Sequence, residues 1–515
     1  MVDGSVTRTI ADIMRRPALT AAPSDTLAAA SASMREHNAG AVVVVDDTGR
    51  PIGIFTERDL IRCAAGGADP TTSPVAEWMT QEPQTVSSDE SAVAAFEWLS
   101  DRGFRHIPVV DDGELVGMAT MRGLMKLASI GPVTHPGHME APKGLAGVIV
   151  AETEVGDVRG QEGFYHYRQY SATDLAEKRS LEDVWYLMFN GELPTTEQRE
   201  AFAADIRRHR TLPASVQQLL PEIANAAEDF QPLDGLRSVI SLQGSALGFK
   251  PSLDVDASEL RENAMAVCAV IPTALAALYR LHNGQDPIEP HPDLGYAANY
   301  LYMIHGTEPD PEYARGVEQY QITTVDHGFN ASTFTSRVIT STGADLAAAV
   351  VGGIGALSGP LHGGAPSRAL DMLEAIGTPD NADAWVRDAV ESGDRIMGFG
   401  HRVYKTEDPR SRLLRGVANR LGGDKAAFAA QVEQTVVDVL AELKPGRQLY
   451  ANVEFYAGVV MDRCGLPPEM FTPTFASSRV IGWCANILEQ AGDNRIIRPS
   501  ARYVGPPPPQ PVPDA

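Results

Sequence analysis

Three histidines of this chain stand in breaks between helical stretches, in company that suggests chemistry. His327 lies in Asp326-His327-Gly328, His362 in the run from Gly359 to Gly364, and His401 in the run from Gly398 to Arg410. Glycine lets a ligand approach the backbone closely, and a loop position turns an imidazole toward a cleft. One such histidine would read as a capped loop residue; three among 12 histidines point to a common site. Rings of this kind donate to a developing oxyanion or pass a proton. Arg410 follows Asp408-Pro409, and Arg479 is the one charge between Met470 and Ile487. An arginine in a buried helix needs an anion, supplied by a protein carboxylate or by a substrate. Arg498, in Ile-Ile-Arg-Pro near the end, reads by itself as surface. Glu454 sits among apolar neighbours between Asn452 and Tyr456. Desolvation raises a carboxylate's pKa and makes it a stronger base; a buried ion pair is the alternative.

The elements that must position these groups read as helices. From about 145 to 500, apolar residues recur at three- and four-residue spacing, with Gly or Pro at the ends. The pattern predicts helices over Leu181–Asn190, Thr196–Arg208, Ala264–Leu281, Ala344–Ala356, Ala382–Ser392 and Lys425–Leu443. Val-rich alternating strands are scarce there, so a large all-α domain is expected. The most apolar run, Ala264 to Tyr279, is too short to span a bilayer and reads as a buried helix.

Ahead of this region the chain repeats itself. Ala11 to Met14 corresponds to Ala76 to Met79, Val42 to Asp47 to Ile107 to Asp112, and Gly53 to Thr56 to Gly117 to Thr120. Each copy reads helix, strand, strand, helix, with Ser24-Asp25 and Ser88-Asp89 as cap signals for the first helix. Residues 131–143 read as a linker, whose His135 and His138 are expected to be solvated. Residues 505–515, with four consecutive prolines, read as a disordered or extended tail.

Composition bounds the rest. A chain of 515 residues implies two or more domains. With 43 basic and 67 acidic residues the net charge is −24, against a general nucleic-acid binder but compatible with a locally basic pocket. Cys63, Cys268, Cys464 and Cys484 are far apart and form no CxxC, so neither a disulfide framework nor a zinc site is expected. That cysteine usage makes a reducing cytoplasm the expected home, and the start of the chain lacks the basic-then-apolar pattern of a signal peptide. No membrane association is expected.

The repeat, about 7–66 and 72–130, resembles the CBS domain, an α+β module whose pairs form clefts for adenine nucleotides. That resemblance implies ligand contacts from Thr56 and Asp59 in the pattern Gly53-x-x-Thr-x-x-Asp, and from Thr120 in the second copy. Gly123 stands where the second Asp would be, so one main cleft is implied.

The region 144–504 resembles citrate synthase, on Gly144 to Val148, Phe164 to Tyr170, His327 to Thr342, Gly359 to Gly364, Gly398 to Arg410 and Asn452 to Trp483. The resemblance implies a two-domain, mainly all-α homodimer that closes on oxaloacetate and acetyl-CoA and releases citrate and CoA. It assigns His362 to the thioester oxygen, His401 to the oxaloacetate carbonyl, and the acid at 454 to the α-proton. His327, Arg410, Arg479 and Arg498 would hold carboxylates, Arg498 from the partner subunit. CoA would lie against Ile396, Gly398, Gly400 and the rest of that loop. No metal, flavin or nicotinamide cofactor is expected. The family's base is Asp, so Glu454 departs from it by a methylene, about 1.5 Å of reach where ~1 Å of displacement already matters. Two alternatives stay open: 2-methylcitrate synthesis from propionyl-CoA, and a non-catalytic nucleotide or CoA sensor.

Overall fold

A computed structural model describes residues 9–512, apart from 38, 93–94, 96–97, 100–103, 122, 125–140, 146, 364–365, 395, 402, 444–448 and 507 and the side chains of 366–368. The expected linker, with its two histidines, lies almost wholly outside the described residues. The chain divides into two compact parts, one of Glu152–Pro499 and one of the residues before and after it.

In the N-terminal part, β1 (Thr20–Ala21), β2 (Ala41–Val45), β3 (Pro51–Thr56) and β4 (Thr80–Gln81) form one sheet in that order. Helices α1 (Leu27–Glu36) and α2 (Glu57–Ala65) flank it, and Leu27, Ala30 and Met34 of α1 share a core with Val42, Val44 and Phe55. The cap of α1 is Thr26, whose hydroxyl accepts from Ala29 N, rather than Ser24 or Asp25; Asp25 instead accepts from Ala22 N. Strands β5 (His106–Asp111) and β6 (Glu114–Thr120) form the matching hairpin of the second copy. The copies exchange their leading segments: Thr80–Gln81, at the start of the second copy, pairs with β3 of the first, while Arg15, at the start of the first, bridges to Met118 in β6. Gly53 and Gly117 make the exchange possible, because a Cβ at either would collide with Met79 or Met14.

The second part is built on α3 (Ala257–His282). At 26 residues it is longer than the sequence suggested, and long and apolar enough to cross a membrane, but 83% of its most apolar stretch is buried, so it serves as core. Around it lie α4 (Pro311–Thr324), α5 (Ala331–Ser341), α6 (Leu346–Leu357), α7 (Pro366–Ile376), α8 (Pro409–Leu421), α9 (Asp424–Leu443), α10 (Val453–Arg463) and α11 (Phe471–Gly492). Helix α11 packs on α3, α4, α5 and α6, and α10 packs on α7 and α8. Helix α6 starts two residues later than expected because Asp345 caps it, accepting from Ala348 N.

One element departs from the all-helical expectation. Strands β7 (Gly156–Arg159), β8 (Phe164–Tyr167) and β9 (Tyr170–Ser171) form an antiparallel sheet. Alternation along β8 buries Tyr165 and Tyr167, whose hydroxyls donate to the carbonyls of Thr323 and Ile322. These are last-turn carbonyls of α4 without an ordinary i+4 partner; Ile322 O otherwise takes only a long 3.5 Å bond from Val325 N. The hairpin thereby fixes the end of α4, from which Asp326 and His327 emerge. All four cysteines are buried thiols.

Candidate active site

His327 follows α4, His362 lies in the turn after α6, and His401 lies in the loop before α8. Arg410 and Glu454 occupy the first turns of α8 and α10, and Arg479 lies within α11. The fold brings these groups together. The His327 and His401 rings are 5.7 Å apart, and Arg410 Nη2 is 3.2 Å from His401 Nε2. His362 and Arg479 both bear electrostatically on His327, and Arg410 and Arg479 both bear on Glu454.

Asp408, absent from the sequence-derived set, organises the centre. It caps α8 by accepting from Arg410 N, takes the Arg410 guanidinium on both oxygens, at 3.0 and 2.8 Å, and accepts from Val453 N. One buried carboxylate thus fixes the arginine and the start of α10 together. Its signal in the sequence is the Asp-Pro pair of a helix start.

The histidines have defined proton positions. His401 Nδ1 accepts from the backbone N–H groups of Val403 and Tyr404, both at 3.0 Å. Burial, then the Arg410 charge, push its pKa down to about 4, so the ring is neutral with its proton on Nε2. Nε2–H and Arg410 Nη2–H are then two neighbouring donors that one acceptor oxygen satisfies together. His362, lowered to about 4 chiefly by burial, meets Ser332 Oγ through Nε2 at 2.8 Å. Ser332 accepts from Trp483 Nε1, and its one hydroxyl proton has two acceptors in reach, Asn330 Oδ1 at 2.7 Å and His362 Nε2; Asn330 Oδ1 already caps α5 by accepting from two backbone N–H groups. With the Ser332 hydroxyl turned to His362 Nε2, the ring presents Nδ1–H as a donor. Ser332 and Asn330 also escaped the sequence reading, although Asn330 carries an ordinary cap signal.

Arg479 is fully buried, gives Nε to the Thr324 carbonyl at 2.7 Å and stacks on Phe475 at 4.7 Å. Among the described residues no carboxylate lies within ion-pair distance of it. Its nearest negative partner is Asp326, which burial raises to about 6 and which accepts from Gly328 N and Asn486 Nδ2. Glu454 is half-buried, and no described side chain hydrogen-bonds its carboxylate; desolvation lifts its pKa to about 7 against the pull of Arg410. The cluster therefore holds neutral imidazoles, two cationic forks and one carboxylate that is free to take a proton near neutral pH.

The loop carrying Ile396, Gly398 and Gly400 is stitched to the segment before Glu454. Gly400 N donates to Tyr450 O, Asn452 N to Gly398 O, and Asn452 Nδ2 to Gly400 O. Ile396 is half-buried against the core, while Gly398 and Gly400 both take positive φ. Arg498 is not part of the cluster: it is exposed in the extended segment after α11 and makes no hydrogen bond or ion pair with the described residues. A cavity of about 690 Å³ between α7 and α9 contains none of the site residues. Among the described residues no group of three or more His, Cys, Asp or Glu is placed to hold a metal ion.

In the N-terminal part, Thr56 and Asp59 form the capping box of α2. Thr56 N and Oγ1 donate to Asp59 Oδ2, and Asp59 Oδ1 pairs with Arg62 at 3.1 Å. Thr120 Oγ1 accepts from Gly123 N, the same turn without the carboxylate.

Comparison with known proteins agrees with this geometry. Residues 144–500 match the citrate synthase C-terminal domain, and residues 10–66 and 75–129 match the CBS domain. A citrate synthase of Haloferax volcanii is 39% identical over 368 residues, 71% of this chain and 96% of that protein. A 2-methylcitrate synthase of Mycobacterium tuberculosis is 38% identical over 390 residues, 75% of this chain and 96% of that protein. The solved ternary complex of Thermoplasma acidophilum citrate synthase with carboxymethyl coenzyme A and oxaloacetate has a TM-score of 0.67 and 28% identity, covering 73% of this chain and 98% of that one. A helical domain with this site, preceded by a CBS pair, defines an enzyme of the acyltransferase type. The chain belongs to the citrate synthase family.

Proposed function

We propose that this enzyme condenses acetyl-CoA with oxaloacetate and hydrolyses the thioester to give citrate and CoA. The observation that carries the reading is the pair of donors at His401 Nε2 and Arg410 Nη2, beside the Arg479 fork and the His327 ring. Arginine forks recognise carboxylates by two parallel bonds, and an oxaloacetate dianion matches them while its ketone oxygen accepts from His401. His362 Nδ1–H stabilises the charge that develops on the thioester oxygen. Glu454 takes the α-proton, and the resulting enol carbon attacks the ketone carbon. His401 gives its Nε2 proton to the new alkoxide, and water then cleaves the thioester.

The preference for the acetyl group follows from Glu454. The bonds between the 396–401 loop and Tyr450–Asn452, with Asp408 on Val453 N, tie its backbone to His401 and Arg410. The extra methylene therefore extends into the cleft and shortens the room for an acyl chain. One methylene is worth about 1–3 kcal/mol in such a pocket. Free-thiol release should need oxaloacetate, with kcat/KM for acetyl-CoA at least about tenfold above that for propionyl-CoA. The reverse order would make the chain a 2-methylcitrate synthase, and no release with either donor would leave a binding module.

The same reading extends to assembly and regulation. Arg498 is exposed and unengaged, as suits a residue given to the site of a second copy in a homodimer; a fully active monomer in sedimentation would overturn this. The CBS pair is read as an adenine-nucleotide sensor through Thr56 and Asp59.

A further inference from the structure

We propose that Tyr404 is a positioning residue that fixes which nitrogen of both His327 and His401 faces the substrate. It rests on the assignment of these histidines to oxaloacetate. The Tyr404 hydroxyl lies 3.0 Å from His327 Nε2, and its backbone N–H donates to His401 Nδ1 at 3.0 Å. The ring lies against both imidazoles, at 5.5 Å from His327 and 4.8 Å from His401, and the Arg410 guanidinium sits 5.7 Å from its centre.

Donor and acceptor balance decides the direction of the His327 contact. The hydroxyl is buried and has no other hydrogen-bond partner among the described residues. If it accepted from Nε2–H, its own proton would be left without an acceptor, a costly arrangement for a buried group. If it donates, the hydroxyl proton and Nε2 are both satisfied, and the one donor left over is His327 Nδ1–H, which the oxaloacetate assigned to this site would take. Burial keeps the phenol protonated by raising its pKa well beyond the ordinary value, and burial beside Arg410 keeps His327 neutral. The proton of His327 is therefore on Nδ1, and no described residue accepts it. His327 thus offers Nδ1–H, and His401 offers Nε2–H, to the same anion.

The loop holds Tyr404 independently of its hydroxyl. Lys405 N donates to Gly160 O, and Gly160 and Gly163 lie too close to Val403 and Thr406 to carry a side chain. Tyr404→Phe in the full-length protein should therefore remove one bond and leave the fold. We expect KM for oxaloacetate to rise about 3–10-fold, the worth of one hydrogen bond, with KM for acetyl-CoA and the thermal midpoint unchanged. In the ¹⁵N-histidine-labelled protein the His327 signal, identified by its loss in His327→Asn, should report the Nδ1–H form in the parent and a shift toward Nε2–H in Tyr404→Phe. The tautomer readout, with calorimetric oxaloacetate binding, needs no turnover and so tests Tyr404 even where the reaction assignment fails. An Nε2–H signal in the parent, an unchanged signal in the variant, or equal losses for both substrates with a lowered midpoint would each overturn the proposal.

Discussion

Glu454 was legible as a base candidate from its apolar neighbours; its environment was not. Sequence shows that Glu454 is flanked by Val453 and Phe455, but not that Arg410 and Arg479 lower its pKa less than burial raises it. A carboxylate titrating at about 7 accepts protons only above that value, so turnover should rise about tenfold per pH unit up to ~7 and level off beyond. Glu454→Gln should remove this limb and cut kcat by about 10²-fold or more, while oxaloacetate still binds. The same shift fixes a stability effect. The folded-state pKa lies above the unfolded value, so ionised Glu454 costs stability above pH ~7, and the cost fades as pH falls toward 4.5. Glu454→Gln should be the more stable protein at pH 8.5, by about 1–3 kcal/mol, with the gap closing by pH 5. Urea midpoints at the two pH values test the stability effect, and normal turnover by the Gln variant would assign the base elsewhere.

At the scale of elements, helices announced themselves through caps and spacing, and loops did not reveal how they pair. Leu181–Asn190 and Thr196–Arg208 match the expected bounds because Ser180 and Thr195 cap them. Strand β8 escaped because four residues rich in aromatics carry too little alternation to stand out. The pairing of the 396–401 loop with Tyr450–Asn452 joins segments some fifty residues apart, which no local pattern encodes. That pairing holds His401 and Glu454 in one frame, and Gly398 is its tightest point. Its φ is +79°, and a Cβ there would stand 2.9 Å from Phe455 Cβ, one residue beyond the base. Gly398→Ala should therefore push the loop off α10. The expected result is a fall in kcat/KM of about 10²-fold from a displacement near 1 Å, accompanied by a loss of ~1–3 kcal/mol in stability. Near-normal kinetics would show that the loop and α10 act separately.

For the whole molecule, the repeat made the N-terminal module visible, and the helical periodicity did the same for the enzyme domain. The exchange of leading segments between the copies was hidden, because Met14 and Met79 look alike in either partner. The exchange makes the pair a single folding unit, yet the two turns that could read a nucleotide differ. Asp59 spends one oxygen on the α2 cap and shares the other with the half-exposed Arg62, whose guanidinium also donates to the Trp78 carbonyl and keeps that partner without Asp59. Ribose hydroxyls can take that second oxygen, whereas at Gly123 there is none to take. Charge-assisted bonds of this kind are worth about 1.5–3 kcal/mol each, enough for a tenfold difference between the clefts. Calorimetry of the full chain with ATP, ADP and AMP should find one dominant site for one of the three. Asp59→Asn keeps an oxygen for the Thr56 cap and removes the charge, so it should weaken binding at least about tenfold with a loss of stability below ~1 kcal/mol. Occupancy should also change the rate of thiol release, since a ligand that favours one state of a module shifts whatever that state contacts. Binding without a change in rate would leave a passive site. No binding of any of the three at millimolar concentration, or equal binding by Asp59→Asn, would remove Asp59 from recognition and make the asymmetry between the copies a matter of helix capping alone.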